Sequence, residues 1–292
     1  MTDPSLLFTS RPIGPGLTLI EGVAREYCYL VEGERQALLI DTLSGIGDLR
    51  AYCEGLTRLP LSVANTHGHF DHIGGDFQFN EVNIHPADVG LLLRNCDIST
   101  RFRFALSQVK SDRPLAWSME DVIPPREIAY RPLAEGDAID LGGRVLEVLH
   151  SPGHTRGSVC FLDKENGVLF AGDTCNTNTL VHLEESTSIQ EFLLTLRRLK
   201  DMEDYFDVFL ICHETSPLDK SCLDDVIECC VSILDGTDDG EEAVSLGHIC
   251  RYARTRGPGR QRLDGRLGNV AYHPGRIRIA SSPNDGLPDI RK

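Results

Sequence analysis

The stretch NTHGHFDHIGG, residues 65–75, holds three histidines and an aspartate within six positions. It directly follows the apolar run LPLSVA, whose composition predicts a buried strand. His67 and His69 lie two residues apart just past the strand end, so in extended geometry their side chains project the same way. Asp71 and His72 follow in a turn that can curl back toward them, and the two glycines after it permit tight backbone there.

These side chains are of the types that bind transition metals. Neutral imidazole and carboxylate are ligands that zinc, iron and manganese accept. The turn can instead be merely polar and solvated, but four such residues in HxHxDH order favour a metal site. One turn supplies only part of a ligand set, so remote partners are expected at other strand ends. The candidates are His154 in SPGHTRGS, Asp173 at the end of GVLFAGD, and His213 after DVFLIC.

The composition excludes several classes of partner. The net charge is −15, from 29 basic and 44 acidic residues, which argues against binding a nucleic-acid phosphate backbone. No apolar run approaches the roughly 18 residues of a membrane span, and the N-terminal residues lack the pattern of a secretory signal. Ten cysteines without a CxxC pair indicate reduced thiols. We therefore expect a cytoplasmic protein without nucleic-acid or membrane partners.

The hydrophobic pattern predicts many strands, with helices between and after them. Ser188 and Glu191 form a capping box at the start of one helix. This order predicts a layered α/β or α+β fold. Strands are expected at 17–24, 27–31, 36–40, 61–65, 81–85, 144–150, 158–163, 167–173 and 207–211, with late strands near 244–252 and 268–280. Helices are expected at 45–56, from 188 onward, and at about 219–234.

Four segments resemble the metal motifs of the metallo-β-lactamase superfamily: HGHFDHIGG, SPGHTRGS, LFAGDT and the histidine after DVFLI. The resemblance extends over about residues 17–215. It implies a four-layer αββα sandwich with two divalent ions at one edge of the sheets. The ligands that it implies are His67, His69 and His154 for one ion, Asp71, His72 and His213 for the second, and Asp173 as a bridge.

The resemblance also implies a chemistry. Zinc is the expected metal, with iron and manganese as alternatives. Two metals about 3.5–4 Å apart lower the pKa of a shared water and provide hydroxide near neutral pH, and this hydroxide attacks a carbonyl. Asp71 would orient the nucleophile or move a proton. Asp41, in LLIDT, matches a buried aspartate that orients a ligand histidine in such proteins, although a turn-starting aspartate is an equal interpretation.

Aspartate at position 173 narrows the expected reaction. Class B β-lactamases resemble the pattern but carry cysteine or serine there, so we expect no β-lactam hydrolysis, and no DNA cleavage. The glyoxalase II, thioesterase and lactonase branches fit better, which predicts hydrolysis of a thioester, ester or lactone, with thioesters preferred. Three alternatives remain open: an N-acyl homoserine lactone-type lactonase, an iron-dependent persulfide dioxygenase, and a non-catalytic metal-binding regulator.

We expect a single domain over residues 1–292 that carries an insert and a C-terminal extension. The insert, about 86–125, is long for a connection and predicts helices over the site. Its aromatic residues Phe102, Phe104 and Trp117 either line an acyl pocket or pack in the core.

The C-terminal extension, about 216–292, combines a helix with strands and does not match the all-helical glutathione-binding domain of glyoxalase II. Its segment 251–278 is rich in arginine. This segment is either a solvated edge or a grip for an anionic substrate, for which Arg254, Arg256 and Arg260 are the candidates. The expected partner is therefore a small molecule such as an anionic thioester, and a homodimer stays open.

Overall fold

The computed structural model describes residues 3–109, 115–213 and 216–279, so parts of the predicted insert and of the C-terminal extension, including the end of the strand expected at 268–280, lie outside the described residues. The strands are β1 (Thr9–Gly14), β2 (Leu17–Glu21), β3 (Tyr27–Glu32), β4 (Ala37–Ile40), β5 (Leu61–Ala64), β6 (Glu81–Ile84), β7 (Ala129–Pro132), β8 (Ala138–Asp140), β9 (Val145–His150), β10 (Val159–Asp163), β11 (Val168–Gly172), β12 (Thr179–Val181), β13 (Val208–Ile211), β14 (Glu241–Ser245), β15 (His248–Tyr252) and β16 (Val270–Tyr272). The helices are α1 (Leu49–Leu56), α2 (Phe70–Ile73), α3 (Pro86–Asn95), α4 (Ile98–Gln108), α5 (Ile189–Asp201) and α6 (Ser221–Asp235).

The strands form three sheets. The first has seven strands in the order β1 to β7, antiparallel as far as β4 and parallel from β4 onward. The change follows from the connections, because short turns join the antiparallel strands and helical crossovers precede the parallel ones. The second sheet has the order β13-β11-β10-β9-β8, and the third, at the C-terminal side, has the order β12-β16-β15-β14.

Three apolar clusters show that the first two sheets pack face to face between helices. In β4, Leu38 and Ile40 belong to the cluster between the sheets, whereas Leu39 belongs to the cluster under α1, α3 and α4. In β10, Phe161 faces the central cluster and Leu162 faces α5 and α6. Strands buried on both faces are continuously apolar, as these are. The fold is therefore the predicted αββα sandwich of the metallo-β-lactamase type.

The predicted helices are present, with one shifted start. The helix expected at 45–56 begins at Leu49, because Gly47 has a φ of 89° and Asp48 caps the first turn by accepting from the backbone N–H of Ala51. The capping box of Ser188 is confirmed at the start of α5. Within the described residues, no helix combines the length and apolar character that a membrane crossing requires.

The C-terminal strands differ from the expectation. The segment 244–252 is part of a hairpin, in which β14 and β15 turn at Leu246 and Gly247. Both turn residues have positive φ, 49° and 81°, as a two-residue hairpin turn requires. Strands β1, β7 and β8 escaped prediction because they are mostly exposed and lack an apolar pattern, and β12 has only three residues.

Candidate metal centre

The seven predicted ligands converge at one edge of the sandwich, just past the ends of β5, β9, β11 and β13. The turn that carries His67, His69, Asp71 and His72 is held by close backbone contact between Gly74 and Ser44. A Cβ on Gly74 would lie 2.1 Å from the carbonyl carbon of Ser44, so only glycine fits there. Gly74 has an ordinary helical φ of −61°, so close packing requires the glycine rather than a left-handed conformation.

Three ring nitrogens meet in the first half of the centre. His67 Nε2 lies 3.0 Å from His69 Nδ1, and His69 Nδ1 lies 2.9 Å from His154 Nε2. All three residues are buried. Ligand atoms around a tetrahedral zinc ion with bonds of about 2.0–2.1 Å lie roughly 3.3–3.4 Å apart, so this spacing suits one metal ion.

Two carboxylates and two imidazoles form the second half. His213 Nε2 lies 3.4 Å from Asp71 Oδ2 and 3.3 Å from Asp173 Oδ2, and His72 Nε2 lies 3.8 Å from a carboxylate oxygen of each aspartate. Asp173 Oδ2 is also 3.7 Å from His154 Nε2. Asp173 therefore lies between the two halves, at the position of a bridging ligand.

Two buried atoms of the centre have no hydrogen-bond partner within the part of the chain that the structure describes. They are His72 Nε2 and Asp173 Oδ1. Leaving a buried polar atom unpaired costs about 1–3 kcal/mol, and more for a charged group. Since imidazole nitrogen and carboxylate oxygen are both metal ligands, divalent ions would satisfy these atoms, and the residues present fit such ions.

The other ring nitrogens of four candidate ligands, His67, His69, His72 and His154, have protein partners. His72 Nδ1 lies 2.8 Å from Asp41 Oδ2, and Thr66 donates to Asp41 through both its backbone N–H and its hydroxyl, at 2.7 Å each. His154 Nδ1 lies 2.7 Å from the carbonyl oxygen of Leu180. Asp41 thus occupies the orienting position that the resemblance implied. Such partners set the ring orientation and the tautomer that a metal requires.

Glu185 is a site residue that sequence reasoning missed. Its Oε1 lies 2.5 Å from His69 Nε2, on the side of the ring that faces away from the other ligands. Burial would raise the pKa of Glu185, but the hydrogen bond with His69 outweighs it and lowers this pKa to about 2. Arg276 holds the loop of Glu185 by donating to the carbonyls of Glu184 and Ser186. No motif surrounds Glu185, so only its proximity to His69 identifies it.

The two halves differ in proton affinity. Burial, together with the neighbouring histidines, lowers the pKa of His67 well below its ordinary value and that of His154 to about 4. Burial acts in the same direction on His72, but the carboxylates of Asp41, Asp71 and Asp173 outweigh it and raise the pKa of His72 to about 9. Asp173 does the same for His213, whose pKa rises to about 10. In the metal-free chain, His67 and His154 are therefore neutral near pH 7, whereas His72 and His213 hold a proton beside the carboxylates.

The aromatic residues of the insert lie mainly in the core. Trp117 is buried and makes an edge contact with Phe102, with ring centroids 5.4 Å apart. Phe104 makes an edge contact with Phe70 in the metal-binding turn, at 4.8 Å. Of the two interpretations, core packing describes Phe102 and Trp117, whereas Phe104 lies against the turn. Sequence reasoning also missed Arg101, which is fully buried and donates to the carbonyls of Ser44 and Gly74.

Two of the three candidate arginines of the C-terminal extension form ion pairs with acidic residues of the extension. Arg254 forms ion pairs with Glu228 and with Asp239. Arg256 pairs with Glu241 at 3.0 Å. These two side chains are engaged in ion pairs within the extension, and contact of the three arginines with a substrate stays a prediction. Arg260 forms no ion pair within the described residues.

Comparison with known proteins gives consistent results. The family model described as the metallo-beta-lactamase superfamily matches residues 22–206. Acyl-coenzyme A thioesterase MBLAC2 from Homo sapiens is 32% identical over 217 residues, which cover 68% of this chain and 77% of that protein. Hydroxyacylglutathione hydrolase from Synechococcus sp. is 32% identical over 189 residues, covering 62% and 60%. A solved metallo-beta-lactamase from Pontibacter korlensis has the same fold, with a TM-score of 0.56 at 17% identity over 77% of this chain and 99% of that one.

Proposed function

This chain belongs to the metallo-beta-lactamase superfamily, and from that premise we propose that it is a dinuclear metal-dependent hydrolase of acyl thioesters, with coenzyme A thioesters as its substrates. The observation that carries the proposal is the convergence of seven candidate metal-ligand side chains, with Asp173 between the two halves and with two buried atoms that have no hydrogen-bond partner among the described residues. The relatives confirm that the chain is a hydrolase.

Each residue of the centre has a part in this reaction. Bound divalent ions would supply a water of lowered pKa and a Lewis acid for the carbonyl oxygen. The three histidines of the first half would hold one ion, and Asp71, His72 and His213 would hold the other. Asp71 Oδ2 lies beside His213 Nε2 on the slightly exposed side of the centre, where it can accept a proton from the attacking water. Asp41 fixes the ring of His72, so that its Nε2 faces the ligand cluster.

The thioester substrate is supported by the relatives and by the site. Three relatives of 31–33% identity are named acyl-coenzyme A thioesterases, and a fourth hydrolyses a glutathione thioester by its name. Aspartate at 173 replaces the cysteine or serine of class B β-lactamases. A lactonase, an iron-dependent dioxygenase and a non-catalytic regulator use the same ligands, so the experiment includes them.

The test is turnover after metal exchange. The protein is stripped with a chelator and reloaded with zinc, iron or manganese. It is then assayed with an acyl-coenzyme A, an acyl lactone of matched chain length and a β-lactam. The proposal expects thioester hydrolysis to exceed lactone and β-lactam hydrolysis, without oxygen consumption. A lactone preference, or oxygen uptake with a persulfide in the iron form only, would overturn it.

Ligand variants give the matched control. His67→Ala removes a candidate ligand of the first half, and His273→Ala removes an exposed histidine that is not among the seven candidate ligands. Turnover should disappear in the first variant and persist in the second. Equal activity in both would mean that the reaction does not use this centre.

A further inference from the structure

We propose that a cleft between the end of α4 and the C-terminal sheet binds the phosphate-bearing carrier of the thioester, with Arg260 as the cation that contacts phosphate. This inference rests on the proposed function and names the part of the protein that would recognise the carrier. The cleft has a volume of about 400 Å³. Gln108 of α4 lines one side, and the β14–β15 hairpin and the arginine-rich segment line the other.

The charges of the cleft single out Arg260. Arg256 also lines it, but its guanidinium pairs with Glu241 and stacks on the ring of Tyr252, 3.3 Å from the centroid. The charges of Arg256 and Glu241 therefore compensate each other. Arg260 is exposed and has no ion pair within residues 3–109, 115–213 and 216–279. Arg260 thus gives the cleft one uncompensated positive charge, in a protein whose net charge is −15. Its planar guanidinium can bind phosphate through two parallel hydrogen bonds.

Contacts connect the cleft with the metal centre on the side of the extension. The carbonyl oxygen of Ser245, in the hairpin, lies 3.2 Å from His182 Nε2. His182 belongs to the same loop as Glu185, which contacts the ligand His69. The backbone of Arg260 itself accepts from Asn178 Nδ2 at 3.4 Å, in the segment that follows Asp173.

The insert connects the cleft with the metal centre on the opposite side. Phe104 packs on Phe70 beside the metal ligand Asp71, and Gln108 lies one helical turn further along α4. One helix thus extends from the ligand turn to the cleft. A substrate whose thioester lies at the metals and whose carrier is long and flexible can reach Arg260 along this helix.

The backbone of Arg260 is strained. Non-glycine residues with positive φ cost about 1–2 kcal/mol each. Arg260 has a φ of 66°, held by a 2.9 Å hydrogen bond from its N–H to the carbonyl of Gly257.

The experiment uses two substrates that differ only in the carrier. One is an acyl-coenzyme A, and the other carries the same acyl group on N-acetylcysteamine, which keeps the thioester and lacks the phosphates. In the metal-loaded enzyme, Arg260→Ala should raise KM for the coenzyme A ester about 10- to 100-fold and leave kcat unchanged, as expected for a lost charge-assisted hydrogen bond. The truncated substrate should not respond, and Arg260→Lys should restore part of the loss.

The control is Arg251→Ala, which removes a partly exposed arginine of β15 outside the cleft that forms an ion pair with Glu242. It should leave KM unchanged for both substrates. An unchanged KM for acyl-coenzyme A in Arg260→Ala, equal losses on both substrates, or a preference for an acyl-glutathione would overturn the assignment of the cleft.

Calorimetric titration of free coenzyme A into the metal-loaded protein separates this inference from the proposed function. Binding that weakens in Arg260→Ala, without turnover of any thioester, would keep the cleft and reject the thioesterase. Thioester turnover together with coenzyme A binding that is unchanged in Arg260→Ala would support the proposed function and contradict the assignment of the cleft.

Discussion

The metal centre and the arginine-rich segment 251–278 are both dense clusters of ionisable side chains, yet they are satisfied in different ways. At the metal centre, His72 Nε2 and Asp173 Oδ1 are buried and have no hydrogen-bond partner within the described residues. In the arginine-rich segment, Arg262 is almost fully buried but pairs with both Asp264 and Glu228. The metal centre therefore differs from the arginine-rich segment in its unsatisfied buried atoms and not in its number of charged side chains.

The arginine network has a structural role that follows from its partners. Arg254, Arg262 and Arg266 all approach Glu228 on α6. They tie the late loops of the extension to a helix that packs on the second sheet. Of the three predicted arginines, Arg254 belongs to this network and Arg256 pairs with Glu241, whereas Arg260 forms no ion pair within the described residues.

The largest expected effect in this comparison is the loss of Asp173. Asp173→Ala removes the carboxylate that lies between the two halves, so turnover should fall about a thousandfold or more, with weaker binding of at least one metal. Kinetics and elemental analysis of the purified variant measure both. Asp204→Ala, at an exposed aspartate, serves as the control. Full activity in Asp173→Ala would show that another group bridges.

The second prediction concerns pH. In the metal-free chain, the pKa values of His72 and His213 are raised to about 9 and about 10, so both carry a proton at pH 7.5, whereas His67 and His154 do not. A metal ion that binds to the second half must therefore displace the protons of His72 and His213. Affinity for the second equivalent should therefore fall as pH falls, by up to about a hundredfold per unit between pH 8.5 and 7.

Calorimetry in buffers of different ionisation enthalpy measures these protons. Binding of the second equivalent should release more protons than binding of the first, because it displaces those of His72 and His213. Equal release at both steps would contradict the difference between the halves.

The third prediction concerns the metal count. We expect two ions per chain, because seven ligands exceed the needs of one tetrahedral ion. His213→Ala should reduce the count to one, since the first half keeps all three histidines, and should lower turnover about a hundredfold. Elemental analysis after reconstitution and gel filtration gives the count. One equivalent in the unmodified protein would reject the dinuclear centre.

The smallest expected effect lies in the arginine network. Arg254→Ala removes a partly exposed ion pair with Glu228, so the free energy of unfolding should fall by about 1 kcal/mol. Because Arg254 is engaged in the extension, KM for a thioester should not change. Urea unfolding and steady-state kinetics test the two statements. A raised KM with unchanged stability would place Arg254 at the substrate and erase the contrast with Arg260.

Sequence patterns predicted the parts of the site that lie next to strand ends. The order HxHxDH after an apolar run, and the His or Asp after three further strands, identified every ligand candidate, because a strand's periodicity and its end are local properties. Glu185 and Arg101 were missed, since neither lies in a motif. Glu185 reaches His69 across 116 positions, and Arg101 reaches Gly74 across 27, so only packing brings these pairs together.

By itself, the sequence determined the layered fold and the chemical types of the ligands, because the alternation of apolar residues and the identity of side chains need no partner. The tertiary structure alone decided which charges are free. Arg254, Arg256 and Arg260 are alike in the sequence, but Glu228 and Glu241 lie 26 and 15 positions before the first two. An ion pair depends on the distance between charged groups in space, and folding sets that distance independently of their separation along the chain.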